Sequence, residues 1–344
     1  MAEACGLGHG SAHEHNRYPA GMRFGVLLEC DRDPRAAVEQ AELLEGLGYA
    51  SVWVAEHHGT AGYVPQPLMA LAALATRTRR LQLGTYVVVL PLYDPVLVAE
   101  QAAMVDAFSG GRLVLGVGLG YVREEFAGHG IPFHHRVGRL EEALPLLRRL
   151  FAGEAVEHAG RHFRVGHARL HPGPARPGGP PIWLGGWVEA AVRRAARLAD
   201  AWIPGPTGDL ATLRACFDVY DDELRRLGRP LPAGRVACRE FFCAPGSEQA
   251  RRLGGAALHR FYLDTYLRWP HPVLGGPGRR EYEALARDRF LVGDPEECAE
   301  GVARLAELGV DHLVLRAQAP GLAPARAIES LRLFAERVMP RFTV

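Results

Sequence analysis

The chain has 344 residues, of which 48% are hydrophobic, and its formal net charge is +1. This is the composition of a globular protein with enough apolar surface for one large core. The near-neutral charge gives no support for nucleic acid or an anionic membrane as a partner, and no apolar run approaches the roughly 20 residues that span a bilayer.

The N-terminal 21 residues differ from the rest of the chain. They lack the apolar segment of a secretory signal, and they contain Gly, Ser and the histidines His9, His13 and His15, which could bind a metal. We interpret residues 1–21 as a flexible leader and residues 22–344 as one domain. The six cysteines are sparse and form no CxxC pair, so we expect free thiols and a reducing, cytoplasmic location.

Predicted strands and helices alternate from Met22 onward. The run MRFGVLL predicts a strand, and the following DPRAAVEQAELLEGLG repeats its apolar residues at helical spacing, with Pro34 in the first turn and Gly48 after the last. The next three units have the same form. They are SVWVA with QPLMALAALATRT, LQLGTYVVVL with DPVLVAEQAAMVDAFSGG, and LVLGVGLG with GRLEEALPLLRRLF.

The second half continues the alternation after a Pro/Gly-rich connection. Its units are PIWLGGW with EAAVRRAARLAD, AWIPG with DLATLRACFDVYDDELRRLG, RVACREFFCA with DPEECAEGVARLAELGV, and DHLVLR with ARAIESLRLFAERVM. Apolar strands without strict alternation are typical of parallel strands buried on both faces. Eight such units over about 320 residues predict an α/β fold of the (β/α)8 TIM barrel type, with a doubly wound open sheet as the alternative.

Two long segments interrupt this alternation. Residues 119–137 separate the fourth strand from its helix, and residues 246–293, rich in Gly, Pro, Arg and aromatic residues, follow the seventh strand. We interpret both as insertions at the carboxyl ends of strands, where barrel enzymes build their sites. Linkers are the alternative interpretation.

Polar side chains follow the second predicted strand immediately. The apolar SVWVA is succeeded by Glu56, His57 and His58, which in a barrel would lie at the carboxyl mouth, where charged groups remain near water. The ends of other strands are expected to bring further polar groups and glycines to the same mouth, namely Glu29, Gly185, Gly186, Arg239, Glu240 and Arg316.

A histidine at such a mouth can exchange protons at cellular pH. Imidazole titrates near about pH 6.5, and a neighbouring carboxylate favours its charged form. Because adjacent residues of an extended strand face opposite ways, only one of His57 and His58 is expected to face a substrate. The same geometry disfavours a metal site built on both imidazoles. Hydrogen-bonded loop residues without a catalytic role are the alternative.

Glycines at the ends of two other strands indicate a close approach by a ligand or by backbone. Gly185 and Gly186 precede a helix that begins near Trp187, and the free N–H groups of a helix N-terminus suit a phosphate. The GVGLG of residues 116–120 lacks the GxGxxG frame of a dinucleotide-binding fold. Tight packing is the alternative explanation for both groups of glycines.

Five stretches of the sequence resemble those of a known protein family and occur in the same order as in that family. They are MRFGVLL, GYASVWVAEHH, LQLGTYVVVLPLYDPVLVAEQAAMVDAFSGGRLVLGVGLGYVREEF, PPIWLGGWVEAAVRRAARLADAW and LVGDPEECAEGVARLAELGVDHLVLR. Together they cover most of residues 22–340 and resemble the bacterial luciferase-like monooxygenase family. The resemblance implies a (β/α)8 barrel that uses reduced FMN, or alternatively the deazaflavin coenzyme F420.

The two cofactors imply different reactions. Members that use FMN activate O2 and act as monooxygenases on a small organic substrate, with reduced cofactor supplied by a separate flavin or F420 reductase, whereas deazaflavin members transfer hydride without oxygen. A non-catalytic flavin-binding protein is a further alternative. A metal-dependent barrel hydrolase is disfavoured, because the first strand lacks an HxH pair.

The resemblance also implies roles for single positions. His57 matches the family histidine beside the flavin ring, a proton donor or base, with Glu56 and His58 as its neighbours. Tyr86 and Val87 fall where the family has a non-prolyl cis peptide that supports the ring. The cofactor-binding positions that the resemblance implies are Tyr86, Val87, Gly118, Gly120, Tyr121, Gly185, Gly186, Trp187 and Val188.

The sequence departs from luciferase at the expected phosphate end. Leu119 stands where that enzyme has an arginine, and Trp187 and Val188 stand where it has Glu and Ser. An FMN phosphate would therefore lose a charged partner unless Arg123 or another basic side chain replaces it. This departure keeps F420 as the alternative to FMN.

Two further expectations concern the substrate and the assembly. Tyr63, Tyr121 and Trp269 are expected at the mouth, which favours an apolar or aromatic substrate, although they could equally serve packing or the cofactor. The resemblance implies a homodimer formed through the helices QPLMALAALATRT and VLVAEQAAMVDAF. The alternative is that their apolar faces only cover the sheet.

Overall fold

The computed structural model describes residues 21–29, 33–269, 271–274 and 280–343. The predicted leader, apart from Gly21, lies outside the described residues, as do Cys5 and Cys30. The other four cysteines, Cys216, Cys238, Cys243 and Cys298, are free and buried, as expected for them.

The described residues form twelve strands. They are β1 (Arg23–Leu28), β2 (Ser51–Val54), β3 (Gln82–Thr85), β4 (Val88–Val89), β5 (Leu113–Gly118), β6 (Val156–Ala159), β7 (Arg164–Ala168), β8 (Ile182–Gly185), β9 (Ala201–Ile203), β10 (Arg235–Cys243), β11 (Phe290–Gly293) and β12 (Val310–Arg316). Each predicted strand is present. The antiparallel hairpin of β6 and β7 and the short strand β11 were not predicted.

Twelve α-helices accompany these strands. They are α1 (Pro34–Gly46), α2 (Pro67–Arg77), α3 (Pro95–Ser109), α4 (Arg123–Gly128), α5 (Arg136–Phe151), α6 (Glu189–Leu198), α7 (Leu210–Arg226), α8 (Ser247–Ala250), α9 (Ala256–Asp264), α10 (Tyr282–Ala286), α11 (Pro295–Ala306) and α12 (Pro324–Arg337). Within the described part of the chain, none combines the length and apolarity needed to cross a membrane.

Three of the helices start at an Asp-Pro pair. Asp33, Asp94 and Asp294 each accept hydrogen bonds from the first-turn amides of α1, α3 and α11, and the proline that follows occupies the first helical position. Proline suits this position because its missing N–H would have no partner there, and the aspartate satisfies amides that otherwise would have none. The same local pattern therefore sets the start of three helices that pack on the sheet.

The main sheet is parallel, and from β1 to β9 its strand order follows the chain, whereas β11 lies out of chain order on the far side of β10 from β12. Neighbouring strands run in the order β11, β10, β12, β1, β2, β3, β5, β8, β9, with β4 beside β5. No reversal of order occurs between β1 and β9, as a doubly wound sheet would require. The order is that of an α/β barrel. The hydrogen-bonded sheet has β9 at one end and β11 at the other. Between these ends, β9 contacts β10.

Both faces of the sheet are buried. Along β2, Val52 and Val54 pack toward the outer helices, whereas Trp53 points into the interior, where it stacks on Trp183 of β8 with ring centroids 5.3 Å apart. Burial on both sides explains why these strands are almost continuously apolar. The carboxyl ends of parallel strands meet at one edge, so the residues that follow them form a common site.

Candidate active site

A cavity of about 370 Å³ opens at the carboxyl edge of the sheet. His57, which follows β2, and Gly186, which follows β8, both line it. Of the residues predicted to be catalytic or to bind the cofactor, only His58 does not. The remaining predicted residues that line the cavity are Glu56, Tyr86, Val87, Gly118, Gly120, Tyr121, Gly185, Trp187 and Val188.

His57 is held by a carboxylate that the sequence analysis did not single out. Its Nδ1 lies 2.8 Å from Oε1 of Glu125, in α4, and the same oxygen accepts the backbone N–H of His58 at 3.0 Å. Burial alone would raise the pKa of Glu125, but the hydrogen bonds from His57 and His58 hold it below its usual value. An ionised acceptor at Nδ1 fixes the N–H there and turns Nε2 toward the cavity.

Aromatic rings surround the His57 imidazole. The ring centroid of Tyr63 lies 4.5 Å away in an edge-to-face contact, and that of Trp269 lies 4.6 Å away. The Tyr121 hydroxyl is 3.5 Å from Nε2 of His57. Burial raises the pKa of Tyr121 well above its usual value, so this hydroxyl stays protonated and donates toward Nε2. Of the three aromatic residues expected at the mouth, Tyr63 and Tyr121 line the cavity, whereas Trp269 contacts the His57 ring without lining it.

Glu56 and His58 form a second pair behind His57. Glu56 accepts hydrogen bonds from His58 Nε2 at 3.0 Å, from the Tyr93 hydroxyl at 3.0 Å and from the Val89 amide at 3.1 Å. Burial raises the pKa of Glu56, and the hydrogen bond to Glu56 raises the pKa of His58. The pair holds the segment after β2 in place. As expected for adjacent residues, His57 and His58 face different ways.

The expectation that charged groups at the mouth remain near water is wrong. Glu56 is only 2% exposed and His57 only 8%. Arg239, Glu240 and Arg316, which were expected at the mouth, are buried as well, and none of the three lines the cavity. The physical reason lies in the segment after β10. It folds back over the strand ends, so that the rings of Phe261 and Tyr266 cover the Arg316 guanidinium at 4.1 and 5.9 Å.

The peptide bond between Tyr86 and Val87 is cis, which confirms the expectation that the family resemblance carried. The Tyr86 hydroxyl donates a hydrogen bond to the carbonyl of Pro204 at 2.5 Å. A Cβ added to Gly118 would lie 2.7 Å from the Val87 side chain. Packing therefore requires a glycine there, although the residue also lines the cavity.

The glycine turn after β8 delivers a helix N-terminus to the cavity. Gly186 has a φ of +151°, and a Cβ there would lie 2.5 Å from Ala191, so packing accounts for this glycine too. Helix α6 begins at Glu189 after Val188, and no side chain caps its first amides. Val188 and Ala191 both line the cavity. Uncapped amides at a helix N-terminus attract an anion.

Arg136 is a basic side chain at the cavity that the sequence analysis did not name. It begins α5, lines the cavity, and its guanidinium lies 3.9 Å above the Phe133 ring. Helices α5 and α6 are neighbours, joined by an ion pair of 2.6 Å between Glu141 and Arg194. Arg123, the basic residue considered from the sequence, has its guanidinium 4.3 Å from the centroid of the same ring and does not line the cavity.

The residues present fit a flat ring system that carries a phosphate. The cavity offers the His57 imidazole and aromatic side chains where a ring would lie, and it offers uncapped amides and a guanidinium where an anion would lie. Binding pockets commonly combine mostly apolar walls with a few convergent polar groups in this way. In the part of the chain that the structure describes, no group of three or more His, Cys, Asp or Glu side chains is arranged to hold a metal ion.

Comparison with known proteins agrees with this geometry. The family model for luciferase-like monooxygenases matches residues 15–312. The chain belongs to the luciferase-like monooxygenase family. Its sequence resemblance is thereby confirmed, and the parallel sheet has the order of the family's barrel.

Relatives within the luciferase-like family are oxidoreductases of two kinds. The chain is 32% identical over 340 residues to a 4-hydroxyprotoasukamycin monooxygenase of Streptomyces nodosus subsp. asukaensis, covering 94% of this chain and 90% of that protein. It is 30% identical over 342 residues to an F420-dependent glucose-6-phosphate dehydrogenase of Nakamurella multipartita, covering 94% and 97%. Family membership supports an oxidoreductase and does not choose between the two reactions.

A solved structure supports the fold of this luciferase-like protein. A monooxygenase from Streptomyces bottropensis superposes with a TM-score of 0.80 at 25% identity, and the match covers 93% of this chain and 99% of that one. The match therefore extends over nearly the whole length of both chains.

Proposed function

We propose that the protein is a two-component flavin-dependent monooxygenase, which uses reduced FMN from a separate reductase and O2 to oxygenate a small, largely apolar substrate. The observation that carries this proposal is the common cavity lined by His57 and Gly186, with aromatic residues around the imidazole. The proposal treats residues 22–344 as one closed (β/α)8 barrel domain, with insertions after its fourth and seventh strands.

The cofactor would lie along this cavity. Its ring would rest against the Tyr86–Val87 peptide and beside His57, and its phosphate would be held by the amides at the start of α6 and by Arg136. When bound, the reduced flavin supplies the electrons and the position at which O2 is activated. Gly118, Gly120 and Gly186, which packing already requires, would form part of the wall beside the ligand.

The chain's own residues would orient the ligands and manage a proton. Nε2 of His57 faces the cavity and can give or take a proton, while the Glu125 carboxylate keeps the other ring nitrogen protonated. Tyr121 donates toward the same Nε2 and can follow its protonation state. The rings of Tyr63 and Trp269 exclude water from the imidazole. Glu56 and His58 act as positioning residues.

An F420-dependent dehydrogenase or reductase is the second candidate. Leu119, which stands where luciferase has an arginine, lines the cavity and provides no charge for a phosphate. The 30% identical F420-dependent relative supports this alternative. A protein of this kind would transfer hydride to or from its substrate and would not consume O2.

Anaerobic titration with reduced FMN and with reduced F420, followed by an oxygen-consumption assay with a panel of apolar substrates, distinguishes the candidates. The proposal expects reduced FMN to bind and a product that has gained one oxygen atom. Binding of F420 alone would favour the second candidate, if reduced F420 then reduces a substrate, or oxidised F420 oxidises one, in the absence of O2. His57→Ala is expected to lower turnover strongly with little change in cofactor affinity. His167→Ala, on the exposed hairpin, is the control.

We further propose a homodimer formed through α2 and α3. Four of the large hydrophobic side chains that are exposed in the described residues lie on these two neighbouring helices. Their exposed fractions are 69% for Met69, 56% for Leu97, 39% for Met104 and 55% for Phe108. Exposed apolar side chains grouped on adjacent helices are typical of a protein–protein interface.

A further inference from the structure

Two tyrosines form a hydrogen-bonded pair in the cavity wall. Tyr63 follows β2 and Tyr266 follows α9, and both line the cavity. Their hydroxyl oxygens are 2.8 Å apart. Nη1 of Arg316, at the end of β12, donates a hydrogen bond to the Tyr266 hydroxyl at 3.1 Å. The pair therefore connects a buried guanidinium to the surface of the cavity.

The two phenolic O–H groups of this pair have only one hydrogen-bond acceptor between them. Each phenol carries one proton and can accept hydrogen bonds through its oxygen. Arg316 donates an N–H to the Tyr266 oxygen, so this hydrogen bond uses no phenolic proton. The hydrogen bond between the two hydroxyls uses one of the two phenolic protons. Among the described residues, neither hydroxyl has another hydrogen-bond acceptor. Whichever tyrosine donates within the pair, one phenolic O–H remains for a ligand in the cavity.

Charge near the pair favours a neutral ligand oxygen over an anion. Arg316 lies 3.4 Å from a carboxylate oxygen of Glu29 and 3.5 Å from one of Glu240, so its positive charge is already compensated. Burial raises the pKa of Tyr63 and of Tyr266, and both phenols therefore remain neutral donors. A negatively charged ligand group would meet two carboxylates behind the pair. A neutral acceptor would meet only a phenolic O–H.

The pair lies among aromatic rings in the wall that also contains His57. The ring of Tyr63 lies 4.5 Å from the ring of His57, and the ring of Tyr266 lies 6.1 Å from that of Trp269. A ligand oxygen bound to the pair would therefore be surrounded by aromatic rings. Apolar walls around a single donor are suited to a hydrocarbon framework with one polar oxygen.

We propose that the Tyr63–Tyr266 pair selects the substrate, by donating a hydrogen bond to the carbonyl oxygen of an apolar ketone or quinone. The inference rests on the proposed function only in assigning this ligand the role of substrate. Arg316 is a positioning residue, because it holds the Tyr266 oxygen without reaching the cavity itself.

The test compares two probes that differ in the carbonyl alone, acetophenone and ethylbenzene. Calorimetry gives their affinities for the wild-type protein, for the double variant Tyr63→Phe/Tyr266→Phe and for each single variant. Loss of a neutral hydrogen bond corresponds to about a three- to tenfold loss of affinity. We expect the double variant to lose this factor for acetophenone and to bind ethylbenzene unchanged. The carbonyl stretching frequency of bound acetophenone is expected to lie lower in the wild type than in the double variant.

Tyr262→Phe is the matched control. Tyr262 lies one turn before Tyr266, contacts its ring with centroids 4.9 Å apart and does not line the cavity. Removal of its hydroxyl is expected to leave the affinity and the stretching frequency of acetophenone unchanged. Thermal unfolding of all variants shows that each is folded before its affinities are compared.

Three results would overturn the inference. One is failure of acetophenone to bind to the wild type, and another is an equal affinity and stretching frequency in the wild type and the double variant. The third is a loss confined to reduced FMN, which would assign the phenolic proton to the cofactor. The probe measurements need neither cofactor nor turnover. If neither reduced cofactor binds but the carbonyl effect is found, the proposed function fails while the carbonyl site stands.

Discussion

Replacement of Glu125 tests the environment of His57 most sharply. Oε1 of Glu125 accepts from a buried donor, Nδ1–H of His57 at 2.8 Å, and from a part-buried one, N–H of His58 at 3.0 Å, and Glu125 itself is 4% exposed. Glu125→Gln keeps an acceptor oxygen and removes the charge. Glu125→Leu removes the acceptor altogether and leaves both donors without a partner.

The two substitutions should lower the free energy of unfolding by different amounts. A buried donor without a partner costs about 1–3 kcal/mol, so the His57 donor alone costs this much in the Leu variant. The part-buried His58 amide adds a smaller cost, and burial of the leucine offsets part of the total. The Gln variant loses only the difference between a charge-assisted and a neutral hydrogen bond, about 1 kcal/mol. Urea unfolding should therefore rank the wild type above Gln and Gln above Leu. Glu124→Leu, at the exposed neighbouring position, is the control.

The proton position on His57 provides the decisive assay. Long-range ¹H–¹⁵N correlation spectra of protein labelled in histidine distinguish a proton on Nδ1 from a proton on Nε2. We expect the Nδ1–H form in the wild type and in Glu125→Gln, and a mixture of both forms in Glu125→Leu. The reasoning is refuted if the wild type carries its proton on Nε2, or if the Leu variant keeps both the stability and the tautomer of the wild type.

Three further predictions concern the phosphate end, the assembly and the response to acid. Arg136→Ala should weaken binding of reduced FMN about tenfold, because one charge-assisted hydrogen bond is lost. Arg123→Ala, the control, should change the affinity by less than about twofold, and an equal effect of the two substitutions would show that Arg136 does not bind the phosphate. Leu97→Glu/Phe108→Glu should convert a dimer into a monomer in light scattering, and a wild type that is already monomeric would end the dimer proposal. Burial lowers the pKa of His312 to about 3. The unfolded chain therefore binds a proton below about pH 6.5 that the folded protein does not, and stability should fall by up to about 1.4 kcal/mol per pH unit between the two values. His312→Gln should flatten this dependence in pH-dependent unfolding, and an unchanged slope would contradict it.

The strand and helix pattern was predictable because it is local. Apolar runs mark strands buried on two faces, and Asp-Pro pairs such as Asp94-Pro95 mark helix starts, so the order of elements follows from short stretches. The hairpin of β6 and β7 was missed for the same reason. Most of its residues are not buried, and neither strand has a long apolar run.

The partners within the site were not predictable from local pattern. Glu125 lies 68 positions after His57 and meets it only because the segment after β5 folds back onto the segment after β2. Arg136 reaches the cavity for a similar reason, since it begins the helix that follows this segment. The cis bond at Tyr86–Val87 came from the family resemblance alone.

Burial at the mouth was mispredicted because strand ends were treated as exposed. The covering segment after β10 contributes the aromatic rings of Phe261 and Tyr266, and these remove Arg316 from water. Which loop covers a strand end depends on long-range packing, and the sequence of the strand end does not contain that information.

A structure determined after soaking with reduced FMN under anaerobic conditions would show whether the cavity at the carboxyl edge of the sheet holds the cofactor. We expect the ring in contact with His57 and the Tyr86–Val87 peptide, and the phosphate within hydrogen-bonding distance of the first amides of α6. A cofactor bound elsewhere, or bound in the opposite direction with its phosphate at His57, would contradict this expectation.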